Sequence, residues 1–276
     1  MIRMKRITRV AAAFLFCAAT AGSTQAADTI RINGSGSALD MLKPMLAAYK
    51  KVNKNAEFTM EKPLGSSGAL KALGSGMLDL VATSKPLTAE DAAKGCLLRE
   101  YGKTPLAIVT EKGVKKTDVT TRELEDIYNG KMTAWPDGTK IRIVLRPQGD
   151  IDTRIMGSIS PDMNTAILAA ASRPGMINSV TDPEAYGTVS KTSGAIGATG
   201  LTSFIVEKLP LNVLSLNNIR PSARSLADHS YPMAKNIDFV TTAKSSPAAM
   251  KFLEFVYSKQ GRAIAEKAGV LVTAAR

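Results

Sequence analysis

Apolar and polar positions along the chain switch between two periods. From Thr29 to Asn33, Ile30 and Ile32 stand between polar residues, the period of two expected of a short strand. Leu39, Leu42, Leu46 and Tyr49 follow at helical spacing, and Pro44 is expected in the first turn of that helix, where a missing N–H costs least. Residues 56–60 read as a second strand. Leu70 and Leu73 mark a second helix, stopped by Gly74. Leu78 to Thr83 is a third strand, nearly all apolar, as in a sheet covered on both faces. Thr88 and Asp91 then match a helix start with a capping pattern.

The rest repeats this alternation. Residues 105–110, 141–145, 195–198, 213–216 and 239–242 read as strands. Thr120 and Glu123 form a capping box ahead of Leu124, Ile127 and Tyr128. Residues 165–171 are an alanine-rich helical stretch. Ser246 and Pro247 suit the N-cap and first position of a helix whose apolar face is Phe252, Phe255 and Val256, and Gly269 closes the next one. No internal repeat interrupts the pattern. The fold class expected is α/β, beginning with a β-α-β-α-β unit.

Two strand-to-helix turns of that unit are rich in glycine and serine: Gly34-Ser35-Gly36-Ser37 and Gly65-Ser66-Ser67-Gly68. Parallel sheets place ligands at the carboxyl ends of their strands. Helix starts there offer free N–H groups and a partial positive charge, which suit an anion. The same residues are the default of any tight turn, so the composition alone leaves both readings open.

Composition narrows the function classes. The chain has 276 residues, 45% hydrophobic and 22% charged, with a formal net charge of +12. These values exclude a disordered chain, a collagen-like repeat and a multi-span membrane protein. Arg3, Lys5, Arg6 and Arg9 precede an apolar run at residues 10–19, and Thr24-Gln25-Ala26 offers small residues for cleavage. This is the layout of a secretory signal peptide over residues 1–26, too short for a membrane span. Phe16 before Cys17 argues against lipid attachment. Cleavage after Ala26 removes four basic residues and no acids, so the excess of positive charge survives and favours anionic partners. A scattered-lysine surface gives the same number. Aromatic residues at 5% and the scatter of lysines argue against nucleic acid.

Candidate chemistry is sparse. The mature chain would keep one cysteine, Cys96, and one histidine, His229, too few for an internal disulfide or a Cys/His zinc site. No G-x-S-x-G elbow and no Walker loop occur. Ser66 or Ser67 with His229 as base would make a hydrolase, but neither serine sits in a recognisable catalytic context. Cys96 lies beside Lys94 and Arg99 as a reactive thiol would, although a lone cysteine is more often packed away. An enzyme is not expected.

Several segments, in order, resemble the phosphate-binding periplasmic proteins of ABC transporters, in the type II periplasmic-binding superfamily. The two Gly/Ser loops resemble that family's first and second ligand loops, and residues 82–87 (ATSKPL) its third. Residues 124–131 (LEDIYNGK) followed by Trp135 are the most specific match, and residues 191–197 (KTSGAIG) and 267–269 (KAG) add to it. The resemblance implies a two-lobed type II periplasmic-binding fold with two hinge-crossing strands. It divides the chain into a signal peptide (1–26), lobe I (27–106 and 232–276) and lobe II (107–231). It further implies a periplasmic, monomeric protein without cofactor. Such a protein would trap inorganic phosphate or a related oxyanion for an inner-membrane ABC permease. A ligand-binding partner of a membrane sensor is the alternative, and a secreted hydrolase the further one.

Carried over residue by residue, the resemblance puts Arg146 where the family keeps its phosphate-binding arginine, whose planar fork can make two parallel bonds to one oxyanion. Ser66 matches the family's serine donor, with backbone donors from Ser67 and Gly68. Ser35, Gly36 and Ser37 belong to the first loop. Ala38 and Leu39 stand where the family has threonine and phenylalanine, so a hydroxyl is lost. Ser84 replaces an aspartate that would accept a phosphate proton, and Lys85 beside it offers a cation. The turn after Arg146 usually reads Gly-Ser-Gly-Thr; here Gly149, Asp150, Ile151 and Asp152 precede Thr153. Two carboxylates facing a phosphate would repel it, at about 4 kcal/mol per unit charge pair 4 Å apart. The expectation is therefore that at most one of Asp150 and Asp152 points into the pocket, that Lys85 or Arg154 compensates, and that phosphate binds more weakly than to the serine–threonine turn.

Overall fold

The structure, a computed structural model, describes residues 28–275; the expected signal peptide at residues 1–26 lies outside the described residues. The chain begins β1 (Asp28–Gly34), α1 (Gly36–Val52), β2 (Ala56–Thr59), α2 (Gly65–Gly74), β3 (Leu80–Thr83) and α3 (Ala89–Ala93). A long strand, β4 (Leu97–Glu111), leads to β5 (Asp118–Val119), α4 (Thr121–Asn129), β6 (Arg142–Leu145), α5 (Ile151–Gly157) and α6 (Pro161–Ala171). Then come β7 (Ile177–Asn178), α7 (Asp182–Lys191), β8 (Ala195–Gly200), α8 (Leu201–Val206), β9 (Leu211–Val213), β10 (Ser215–Leu216) and α9 (Ala223–Ala227). The chain returns through β11 (Ala234–Thr241) and ends with α10 (Pro247–Tyr257), α11 (Lys259–Lys267) and β12 (Leu271–Val272).

The strands join in the order β2-β1-β3-β11-β4-β8-β6-β7, with β9 and β12 also pairing with β4. β1 runs parallel to β2 and β3, and β6 parallel to β7 and β8. β4 and β11 are antiparallel to their neighbours and join these two parallel groups. The first part of β4 pairs with β11, the second with β8 and β9. The result is two α/β lobes connected through β4 and the start of β11.

Burial follows the same division. One lobe's core holds Ile30, Leu42, Tyr101, Phe239 and Phe252, with a smaller cluster of Leu70, Leu73, Val81 and Val240 on the opposite sheet face. The other lobe packs Ile108, Leu124, Trp135, Met163 and Ile196 on one face and Val109, Val144, Val189 and Leu211 on the other. Apolar strand runs are explained by this two-sided cover. Cys96 is buried in the Leu70 cluster, and burial pushes its thiol pKa up, which makes it a packing residue.

The expected capping boxes at Thr88/Asp91 and Thr120/Glu123 both form, and the Ser246 hydroxyl caps α10 with Pro247 at its first position. The signature residue Trp135 donates from Nε1 to the Gly194 carbonyl at 3.0 Å, which ties the LEDIYNGK segment to KTSGAIG.

Four expectations need correction. Pro44 is in the third turn of α1, because Gly36, Ser37 and Ala38 add a first turn ahead of Leu39. The strands read at 105–110 and 239–242 begin earlier, since their polar residues are covered by partner strands. The run at 213–216 breaks at Leu214 into β9 and β10. α5, α7, α8 and α9 are helices that the periodicity does not predict; α5, α8 and α9 have only 7, 6 and 5 residues, too few for a helical repeat to show.

The β4–β11 pairing slips by one residue between Ile237 and Asp238, leaving Tyr101 without a register partner on β11. The Asp238 carboxylate fills the gap by accepting the Tyr101 N–H at 3.2 Å. Burial, reinforced by Glu100 against the pull of that hydrogen bond, raises Asp238 from 3.8 to about 6. A folded-state pKa above the unfolded value means stability present below about pH 4 and lost as pH rises through 6. Asp238→Asn keeps the acceptor without the charge. It is expected to melt a few degrees above the wild type at pH 8 and with it at pH 4, in thermal scans at both pH values.

Candidate functional site

β1 and β3 approach so closely at their carboxyl ends that a Cβ on Gly34 would lie 1.9 Å from the Ala82 carbonyl oxygen. Only glycine fits there. The Ser35 N–H then donates to that carbonyl at 3.0 Å, and α1 starts at once. Asn33 ties the second loop to the first: its Oδ1 accepts the N–H groups of Gly34 and Leu64, each at 2.8 Å, and its Nδ2 donates to the Lys62 carbonyl. Gly65 enters α2 with φ of 69°, a conformation that favours glycine. Hydroxyls lock the third loop in place. Ser66 Oγ accepts the Ser84 N–H at 3.0 Å, and Ser84 Oγ lies 2.8 Å from Ser35 Oγ.

From the other lobe, β6 ends at Leu145 and delivers Arg146. Its guanidinium donates to the Ser179 carbonyl at 3.0 Å and to Asp150 Oδ2 at 2.9 Å. Asp150 is also the N-cap of α5, with Oδ1 accepting the Asp152 N–H. The Thr153 hydroxyl donates back to the carbonyls of Arg146 and Pro147. Lys85 spans the gap between the lobes: its Nζ donates to the Gly149 carbonyl at 2.8 Å and to Ser67 Oγ at 3.2 Å.

These groups surround a cleft of about 300 Å³. Ser35, Gly36, Ser66 and Ser67 line it from one lobe with Lys85, and Arg146, Gly149 and Asp150 from the other. The remaining sequence candidates lie behind this lining. Ala38 and Leu39 are in the core beside Met41 and Leu42. The Ser37 hydroxyl is buried against Gly200, where a Cβ would lie 2.5 Å away. Gly68 lies within α2, Ser84 behind Ser35 and Ser66, and Thr153 behind the Arg146 turn. Of Asp150 and Asp152, only Asp150 lines the cleft. Asp152 turns inward and is fully buried. Arg154, proposed as a compensating cation, is exposed on α5 and does not line the cleft.

The cation that does compensate is Lys235 on β11, which sequence reasoning missed. Its Nζ lies 2.7 Å from Asp152 Oδ1 and 2.9 Å from Asp182 Oδ1, and its side chain is 1% exposed. Asp182, at the start of α7, was missed too. It lies 4.0 Å from Arg146, and its other oxygen accepts the Ser37 N–H at 3.1 Å. The available signal for Lys235 was its place in the alternation Lys235, Ile237, Phe239, whose other members are apolar. For Asp182 there was only a capping pattern, Thr181 with Glu184, that reads as a surface helix start.

Burial alone would raise Asp182, but Lys235 and Arg146 outweigh it and hold the carboxyl well below the usual range. For Asp152 burial wins over Lys235, and the charges of Asp182 and Asp150 add to it, so its pKa rises to about 7. Arg146 and Lys235 are both raised: the surrounding carboxylates outweigh burial. A proton on Asp152 tips the cluster towards positive charge, since Arg146, Lys235 and Lys85 then face two carboxylates. That balance suits an anion in the cleft. Among the described residues no group of three or more His, Cys, Asp or Glu side chains is placed to hold a metal ion. A larger concavity of about 540 Å³ on the Arg146 lobe, near Met132, Arg142 and Met176, gathers none of the loop residues.

The chain belongs to the PBP superfamily: the PBP superfamily domain matches its residues 19–260. Among its relatives is the phosphate-binding protein PstS of Borreliella burgdorferi, 27% identical over 254 residues, which are 88% of this chain and 89% of that protein. The phosphate-binding protein PstS of Bacillus subtilis is 22% identical over 251 residues, covering 86% and 78% of the two chains. In fold, the chain resembles a phosphate ABC transporter substrate-binding protein from Clostridium perfringens solved with bound phosphate. The TM-score is 0.74 at 19% identity, over 89% of this chain and 100% of that one.

Lys235→Met would leave Asp152 and Asp182 buried without their cation. The expected cost is about 3–5 kcal/mol at pH 7. The loss should shrink at pH 5, where the stranded carboxylates take up protons. Urea unfolding at both pH values checks this; an equal loss at the two would show that Lys235 acts through packing alone.

Proposed function

We propose that the chain is a binding protein that captures a small inorganic oxyanion, phosphate first, between its lobes and hands it to a membrane ABC permease. The observation that carries this reading is the convergence on one small cleft of Arg146, Lys85 and the Ser66 and Ser67 end of α2. Guanidinium, ammonium, hydroxyl and helix-start N–H groups together form a donor set for a tetrahedral anion. The names of the relatives point the same way.

In this reading the lobes are residues 27–106 with 232–276, and 107–231, and they close over the ligand by hinge motion. The core clusters support that division, since the first lobe's buried residues come from 30–101 and 237–270 and the second's from 106–233. The protein works as an exported monomer in the periplasm. Among the described residues no helix is long and apolar enough to cross a membrane. Binding without catalysis fits the serines: Ser66 Oγ accepts the Ser84 N–H, and His229 is exposed after α9, outside the cleft lining.

Asp150 competes with the ligand for Arg146, because it already holds one end of the guanidinium. Calorimetric titration with phosphate is expected to show binding by the wild type. Arg146→Gln should lose about 30-fold or more, the equivalent of 2 kcal/mol for a buried charged partner. Asp150→Ser should gain several-fold, most at low salt. Absence of binding to phosphate, sulfate, arsenate and molybdate alike would refute the oxyanion reading.

A further inference from the structure

One contact between the lobes places a carboxylate where this reading expects a ligand. Asp182 belongs to the lobe of Arg146, but its Oδ2 reaches the other lobe and accepts the Ser37 N–H in the first turn of α1 at 3.1 Å. α1 is 17 residues long, so its start carries the full partial charge of a helix. Gly36 is shaped around the visitor: a Cβ there would lie 2.6 Å from Asp182 Cβ and 2.7 Å from its Oδ2. The other oxygen, Oδ1, accepts from Lys235 Nζ at 2.9 Å and lies 4.0 Å from Arg146. One carboxylate, 4% exposed, thus engages a helix-start amide, an ammonium and the edge of a guanidinium.

Those are the kinds of donor that a bound oxyanion uses. The donor set is not exhausted. Arg146 Nε, on a side chain 8% exposed, has no hydrogen-bond partner, and Asp152 Oδ2 is 4.0 Å away. A planar carboxylate with two oxygens leaves unmet what a tetrahedral anion with four can meet.

We propose that Asp182 is a resident internal anion that sets the affinity of the cleft: it occupies the start of α1, and an incoming oxyanion gains that position by displacing it. The proposal rests on the oxyanion reading above and adds to it the residue that competes for the start of α1. It accounts for Gly36, whose missing side chain makes room for Asp182, and for a buried acid beside a cleft that suits anions.

The test uses the full mature chain, phosphate and acetate. Asp182→Ala opens a carboxylate-sized space lined by the Ser37 N–H, Lys235 and Arg146. The variant is expected to bind phosphate about tenfold tighter than the wild type by calorimetry. Acetate at millimolar concentration should raise its melting temperature and compete with phosphate, while leaving the wild type unmoved. Asp182→Asn, which keeps an acceptor for Ser37 without the charge, should fall between the two, and it carries the comparison if the alanine variant does not fold. Equal or weaker phosphate binding by a cooperatively folded variant would overturn the proposal, since Asp182 would then be a strut that supports the site. If no protein binds phosphate but acetate stabilises Asp182→Ala alone, the oxyanion reading falls and occupancy of the α1 start by Asp182 is supported.

Discussion

The burial of one lysine organises this molecule. Lys235 lies on β11, at the start of that strand where the chain passes between lobes, and both carboxylates on its ammonium come from the lobe of Arg146. An ammonium taken out of water without partners is costly by several kcal/mol. The cluster is therefore favourable only when α5 and α7 sit against β11. The relative placement of the lobes and the electrostatics of the cleft are consequences of one arrangement, because the same carboxylates face Arg146.

Charge in the cleft is closely balanced. Asp150 holds Arg146 from the α5 cap, Asp182 links Lys235 to the start of α1, and Asp152 is pushed towards its neutral form by burial. Lys85 reaches across from the third loop to the Gly149 carbonyl. The Asp182 and Lys85 contacts cross between the lobes, and the Asp150 contact fixes Arg146 beside them. A site built this way responds to added negative charge as a unit, since no single cation is left with a single partner.

The loops around the cleft are positioned by strand geometry more than by their own sequence. Gly34 permits β1 and β3 to approach within backbone contact, which brings Ser35 and Ser84 together. Asn33, one residue earlier, ties the loop before α2 to the end of β1 through two hydrogen bonds, to the Lys62 carbonyl and the Leu64 N–H. The Gly/Ser composition of these turns is thus required twice over, by close packing beneath and by access above. Ser37, Ala38 and Leu39 show the limit of reading a loop as a string: once α1 starts at Gly36, their side chains turn into the protein.

The sequence by itself determined the alternation of strands and helices, the glycine–serine turns at helix starts, and the capping boxes at Thr88 and Thr120. These are local matters, governed by side-chain period, backbone freedom and neighbouring hydrogen bonds. Tertiary structure decided what local rules cannot reach. Period two places Lys235 on the apolar face of β11, but only packing of α5 and α7 supplies its carboxylates. A capping pattern starts α7 at Asp182, but only the approach of the other lobe turns that side chain to Ser37. Asp150 and Asp152, two residues apart, part company because a helix begins between them: the cap residue stays at the cleft, and the next but one faces the interior, where Lys235 is waiting.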